Sequence, residues 1–335
     1  MRHQLLGPSG LRVSQLLLGA MTFANPDQAR RMVDLYQDAG GNLIDTASAY
    51  GDSEEVLGEL LKGRRDRFVL STKFTLPSDA NDANSGGSHR RNLTHTLEQS
   101  LRRLRTDRID LLWVHTWDEY TPIEETMRAL DDAVRSGKVL YLGASNLPAW
   151  VIAQANTLAH QHGWTPFIAL QVPYNPLQRD IERELLPMAR TLGLSLTTYN
   201  GLAAGILSGR YTDTTTPTTT GRVDPTTLTE HQHRAARTLT HIAQEVNATP
   251  AQVAIAWALH RSPRIHPILG ASRTEQLQDN LGALQVTLPP QAIEHIDALA
   301  DFEPGYPHDL NATTQTWLNG EHPVTPPVSE RPFGN

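Results

Sequence analysis

The chain has 335 residues and a mass of 37.1 kDa, a length for one large domain or two medium ones. Apolar residues make up 39% against 19% charged, which excludes a disordered chain; a net charge of −7 without any like-charge block argues against a nucleic acid or an anionic membrane as partner. Cysteine is absent, which removes disulfides, thiolate zinc sites, iron–sulfur clusters and cysteine nucleophiles together.

Residues 1–14 read as a hairpin turning at Gly7-Pro8-Ser9-Gly10. Strand and helix patterns then alternate. The predicted strands are Gln15–Ala20, Asn42–Thr46, Arg67–Phe74, Ile109–His115, Val139–Ser145, Phe167–Val172, Leu194–Tyr199 and Ile265–Leu269. The predicted helices that follow them are Asp27–Ala39, Ser53–Leu61 with Ser53 as N-cap, Asn92–Leu104, Ile123–Arg135, Pro148–Ala159, Ile181–Leu192, Pro250–His260 and Thr274–Leu284. A Gly- and Thr-rich insertion over 201–228, including Thr214–Thr220, reads as a lid, and a further helix covers Glu230–Val246. Residues 286–335 add a helix and a Pro-rich tail, Phe302–Asn335.

Eight strands, each followed by a helix, predict a parallel sheet closed as an α/β, (β/α)8 TIM barrel. The chain divides into a hairpin (1–14), the barrel (15–285) and a C-terminal helix plus tail (286–335) of one domain. A doubly wound dinucleotide fold would place G-x-G-x-x-G after the first strand, where Gly19-Ala-Met-Thr-Phe23 stands instead. With no signal-peptide layout and no run of about 18 apolar residues, the expectation is a cytoplasmic protein without a membrane span. Self-association is left open.

In such a barrel, chemistry sits at the C-terminal strand ends. Those ends carry Asp45 with Tyr50 just beyond, Lys73, His115, Ser145-Asn146, Gln171, Tyr199 and Gly270-Ala-Ser-Arg273. Asp45, Tyr50, Lys73 and His115 form a sensible proton-transfer set. A phenol of pKa about 10 is a poor acid at neutral pH, and an adjacent ammonium is expected to lower it. Asp45 would keep that ammonium charged, and a neutral imidazole would orient a carbonyl. Only three of the 29 basic residues are lysines, so Lys73 stands out: a compact charge fits beside a phenol where a planar guanidinium would not.

The run Gly40-Gly-Asn-Leu-Ile-Asp45-Thr-Ala-Ser-Ala-Tyr50-Gly-Asp-Ser-Glu-Glu-Val-Leu-Gly58, with Ser71-Thr-Lys73-Phe and Asp110-Leu-Leu-Trp-Val-His115, resembles the aldo-keto reductase superfamily, and Leu269-Gly-Ala-Ser-Arg273, without the Lys-Ser form of many animal reductases, is similar to its microbial and channel-subunit branches. Ser9–Ser14 and Leu18–Phe23 are similar as well, and the likeness covers nearly the whole chain. Gly41 departs, since an aliphatic residue usually stands there, and so does Asn200-Gly201-Leu202, where Ser-Pro-Leu is common.

The resemblance implies an oxidoreductase that binds NADPH/NADP+ in an extended pose and reduces a small-molecule carbonyl, with Tyr50 as general acid aided by Asp45, Lys73 and His115. It further implies that Ser145, Asn146 and Gln171 hold the carboxamide and that Tyr199 stacks on the nicotinamide. Gly270, Ser272, Arg273, Gln276 and Asn280 would grip the adenosine 2′-phosphate and adenine, since a guanidinium pairs bidentately with phosphate. Gly19, Met21, Thr22, Asp45, Asn200, Gly201, Leu202 and Gly205 complete the expected cofactor contacts. Phe23, Tyr50, His115 and Trp117, with Met21, Tyr120 and Tyr306–His308 at the mouth, are expected around an aldehyde, ketone or oxo-sugar.

The alternative is a nucleotide-binding regulatory subunit with vestigial activity, like channel β-subunits. No metal is expected: His231, His233 and His241 lack a completing ligand. Gly143-Ala-Ser145-Asn146 lacks the second glycine of a hydrolase elbow, and a glycosidase would want two strand-end carboxylates.

Overall fold

The computed structural model describes residues 1–23, 25–211, 223–320 and 322. The run Thr214–Thr220 and the tail from residue 323 lie outside the described residues, and with the former the middle of the lid expected over 201–228.

Two short strands, β1 (His3–Leu5) and β2 (Arg12–Ser14), pair antiparallel ahead of the barrel. The alternating units follow: β3 (Leu17–Gly19) and α1 (Pro26–Asp38), β4 (Leu43–Asp45) and α2 (Ser53–Leu60), β5 (Val69–Phe74) and α3 (Arg90–Leu104), β6 (Ile109–Val114) and α4 (Ile123–Arg135). Next come β7 (Val139–Ser145) and α5 (Ala149–His162), β8 (Phe167–Pro173) and α6 (Leu185–Leu192), then β9 (Ser195–Tyr199). After the insertion run α7 (Glu230–Glu245), α8 (Pro250–Arg261), β10 (Ile265–Leu269) and α9 (Thr274–Leu281), and finally α10 (Pro290–Asp297) and α11 (His308–Asn319). Strands β3 to β10 close in sequence, all parallel, with β10 against β3. The protein is the expected (β/α)8 barrel.

Helix α1 illustrates the local logic. Asn25 accepts from the Gln28 N–H, Pro26 occupies the first turn, and Ala29, Met32, Val33 and Tyr36 form the buried stripe. Two expectations fail at element ends. Ser53 is the first residue of α2 rather than its cap: Asp52 holds the cap position, and the Ser53 hydroxyl donates to the Ala20 carbonyl at 2.8 Å. The tail is not irregular throughout, because α11 forms within it behind Pro307.

The core has two parts. The larger lies between strands and helices; the smaller fills the barrel, where Leu17, Leu43, Leu111, Trp113, Ile168 and Ala169 meet Leu6 and Val13 of the hairpin. The hairpin thus stops the N-terminal end of the barrel. Gly7 makes this seat, donating its N–H to the Ser195 hydroxyl at 2.8 Å. Its φ is +56°, and an added Cβ would lie 1.9 Å from the Ile168 carbonyl oxygen, so only glycine fits. The strand ends expected to carry chemistry lie at the opposite, C-terminal rim.

The Gly41 departure has a packing cause. A Cβ there would lie 2.2 Å from the Tyr36 ring. Tyr36 is fully buried and its phenol joins three segments: it donates toward the Leu16 and Leu43 carbonyls and accepts from the Leu43 N–H, at 2.9, 2.9 and 3.2 Å. The small residue makes room for the large one.

Candidate active site

Strand β4 ends on Asp45 and β5 carries Lys73 beside it, both facing the rim. The Lys73 ammonium donates to Asp45 Oδ2 at 2.5 Å and to the Thr46 carbonyl at 2.8 Å. Asp45 Oδ1 accepts from the Ser71 hydroxyl at 2.5 Å and from the Gln171 amide at 3.1 Å. Lys73 is fully buried and Asp45 is 4% exposed. A buried pair of this kind persists because its remaining donors and acceptors are satisfied. Burial pushes the Lys73 ammonium below its ordinary range, against the opposing pull of Asp45.

Tyr50 stands in the loop between β4 and α2, with the Lys73 nitrogen 4.8 Å from its ring centroid. The His115 ring lies edge-on to Tyr50, with centroids 5.8 Å apart at 82°. So the four residues expected to act together share one locality. Their electrostatics differ from expectation in one respect. Burial first, then the Asp45 carboxylate and Tyr199, push the Tyr50 phenol above its ordinary range rather than below it. The reason is geometric: the Lys73 charge is committed to Asp45 and Thr46, and no hydrogen bond joins it to the phenol among the described residues. The phenol therefore keeps its proton at neutral pH, the form a proton donor needs. Burial, then the Lys73 ammonium, hold the His115 imidazole down to about 4, so it is neutral. Its Nδ1 is buried without a partner among the described residues.

The remaining rim residues fall into two groups. Around His115, the Asn146 amide donates to the His115 carbonyl at 2.9 Å and to the Ser145 hydroxyl at 3.0 Å, and its carbonyl accepts from the Tyr199 phenol at 2.9 Å. Across the barrel mouth, the Thr22 hydroxyl donates to the Ala271 carbonyl at 2.6 Å, tying the β3–α1 loop to the β10–α9 loop. There Gln276 accepts from both the N–H and the hydroxyl of Ser272, each at 3.0 Å. Asn280 is buried, while Arg273 is exposed at the head of α9 and has no carboxylate partner among the described residues. Gly19 ends β3, and Gly270 has open space where a side chain would be.

Asn200 adopts φ +57° and its side chain accepts from the Ala204 N–H at 2.8 Å, organising the turn through Gly201, Leu202 and Gly205 without a proline. Phe23, expected at the pocket mouth, instead sits in the main core at 2% exposure. Met21, Trp117, Tyr120 and Tyr306 are exposed. The stretch around Tyr306 is held to the β8–α6 segment, where Arg183 donates to the Glu303 and Pro304 carbonyls and His308 pairs with Glu184.

Some participants escape sequence reasoning. Ser71 was findable, since it lies two residues before Lys73 on the same strand face. The Thr46–Ser53 hydroxyl contact at 2.8 Å and the fully buried Glu54, bonded to Thr72 and Arg103, depend on tertiary contact that no local pattern announces.

A family model described as the aldo/keto reductase family matches residues 15–301. An aldo-keto reductase (ausK) of Emericella nidulans is 38% identical, over 92% of this chain and 84% of its own length. Norsolorinic acid reductase A of Aspergillus parasiticus is 36% identical over 94% and 85%. A putative aryl-alcohol dehydrogenase of Saccharomyces cerevisiae is 36% identical over 90% and 87%. No helix among the described residues is long and apolar enough to cross a membrane.

Proposed function

Because the chain belongs to the aldo/keto reductase family, we propose that it is an NADPH-dependent reductase that converts an aldehyde, ketone or oxo-sugar carbonyl to an alcohol, with Tyr50 as the proton donor. The observation that carries this reading is the buried Asp45–Lys73 pair beneath a protonated Tyr50 phenol and a neutral His115, on one rim. The relatives named as aryl-alcohol dehydrogenases favour an aromatic carbonyl within that class.

The residues present fit the cofactor. Arg273 offers an exposed guanidinium, without a carboxylate partner among the described residues, at the start of a helix whose free N–H groups also attract anions, the donor set a 2′-phosphate needs. Ser272, Gln276 and Asn280 would complete that end, with Gly270 leaving room for it. Ser145, Asn146 and Gln171 would hold the carboxamide, Tyr199 would stack on the ring, and Gly19, Met21, Thr22, Asn200, Gly201, Leu202 and Gly205 would border the remainder. Bound NADPH supplies the hydride that reduces the carbonyl carbon.

The chain's own residues do the rest. His115 donates a hydrogen bond to the substrate oxygen and orients it. Tyr50 gives its proton to that oxygen as negative charge develops there, a step stabilised by the nearby ammonium. Lys73 keeps its charge because Asp45 neutralises it, and Ser71 and Gln171 hold Asp45 in place.

The test is consumption of NADPH and of NADH against a panel of carbonyls. Turnover should prefer NADPH, and Arg273→Leu should raise the Michaelis constant for NADPH about tenfold or more relative to that for NADH, the size of one charge-assisted contact. Failure of every aldehyde and ketone to consume either nucleotide would remove the reductase reading.

A further inference from the structure

Two indole rings stand on the rim with no core role. Trp117, in the β6–α4 loop, and Trp150, in the first turn of α5, meet edge to face with centroids 5.8 Å apart at 85°. They are 40% and 62% exposed. Contact of this kind between two rings leaves indole face open to a third, and planar apolar groups prefer such offset or edge contacts.

The pair is continuous with the proton-transfer site. The Trp117 backbone N–H donates to the Asn146 carbonyl at 3.4 Å, and the Asn146 side chain donates to the His115 carbonyl at 2.9 Å. The backbone that carries each ring is also held. Asp118 accepts from the Ser88 N–H, the Tyr120 N–H and the Thr121 hydroxyl, at 2.8, 3.0 and 2.6 Å, so the loop bearing Trp117 is tied to the preceding βα loop. Trp150 rides on a helix entered through Pro148, behind the buried Leu147. An aromatic side chain has few rotatable bonds, and on a held backbone it loses little freedom when it binds. A small polar carbonyl has no use for two rigid indoles; a flat, extended ring system does.

We propose that Trp150, with Trp117, forms a preorganised aromatic wall that selects carbonyl substrates by the size of their planar ring system, favouring fused-ring aldehydes and ketones over aliphatic ones. This rests on the reductase reading of the same rim and adds to it a specificity-determining residue and a narrower substrate class. Trp150 acts on binding and touches none of the reacting atoms.

The test uses hexanal, benzaldehyde and 2-naphthaldehyde with NADPH, and calorimetric binding of the product alcohol 2-naphthalenemethanol, which needs no turnover. In the unaltered protein, kcat/KM should rise along that series. In Trp150→Leu the ratio of the 2-naphthaldehyde value to the hexanal value should fall about fivefold, through KM, and the naphthyl alcohol should bind about fivefold more weakly, the size of a lost aromatic contact. Trp150→Phe should recover most of both. An unchanged ratio with unchanged alcohol binding overturns the wall while leaving the reductase reading intact. Absence of turnover with all three aldehydes, alongside Trp150-dependent binding of the alcohol, overturns the reductase reading and keeps the wall.

Discussion

At the scale of single residues, the site is governed by where one positive charge is spent. Lys73 gives its ammonium to Asp45 and the Thr46 carbonyl, so it supports Tyr50 across the ring face rather than through a hydrogen bond. Removing one partner of so buried a pair leaves an uncompensated charge. Asp45→Asn should therefore lower unfolding stability by about 3–5 kcal/mol in denaturant titration and cut turnover as well. A variant as stable as the parent would show that the pair does not hold this part of the fold. The scarcity of lysine already singled out Lys73, and the strand-end rule gathered its neighbours. The direction of the Tyr50 shift was not legible, because it depends on which acceptor the ammonium reaches first. Gly41 makes a second residue-scale case. Gly41→Ala should clash with the Tyr36 ring. Its cost in melting temperature should shrink when Tyr36→Leu is also present, a non-additivity expected of residues in contact.

At the scale of elements, the Tyr50 loop is closed by side chains from its two ends. Thr46 follows β4 and Ser53 opens α2; their hydroxyls meet at 2.8 Å, and Ser53 donates onward to the Ala20 carbonyl at the end of the β3 segment. Both are buried. This explains why Ser53 does not cap its helix: the hydroxyl is used across the loop. Thr46→Val and Ser53→Ala should each lower kcat about tenfold with little change in KM for the aldehyde, since a small displacement of a catalytic group is costly. Thr46→Ser, which keeps the hydroxyl, should retain activity. Equal losses in Thr46→Val and Thr46→Ser would point to packing of the methyl group instead. Alternation in the chain made the eight βα units readable, because each strand is apolar and each helix shows its buried stripe. Element ends were less so: the helix expected at Ile181 starts at Leu185, after a short turn in which Arg179 and Glu182 pair at 2.7 Å.

At the scale of the whole molecule, the barrel separates a stability end from a chemical end. The hairpin and the inward ring of Leu17, Trp113 and Ile168 seal the first, and His266 lies among them fully buried, its Nδ1 near the Ser14 carbonyl at 3.2 Å. Burial holds that imidazole down to about 4, so the folded protein keeps it neutral while the unfolded chain protonates it near 6.5. The stability this preserves is complete above about pH 6.5, falls as pH drops toward 4, and amounts to about 3 kcal/mol over that window. Melting temperature should decline between pH 7 and 5, and less steeply in His266→Gln; an equal decline in both would assign the effect elsewhere. Closure of the barrel is also what carries Asp45, Tyr50, Lys73 and His115, spread over some seventy residues of sequence, to a single place. The most direct measurement of what they do there is turnover by Tyr50→Phe with NADPH and a reactive aldehyde, beside NADPH binding followed by fluorescence. A loss of about 10²–10⁴-fold in kcat with binding retained is the result expected of a missing proton donor; turnover within a few-fold of the parent would contradict the assignment of the proton to Tyr50.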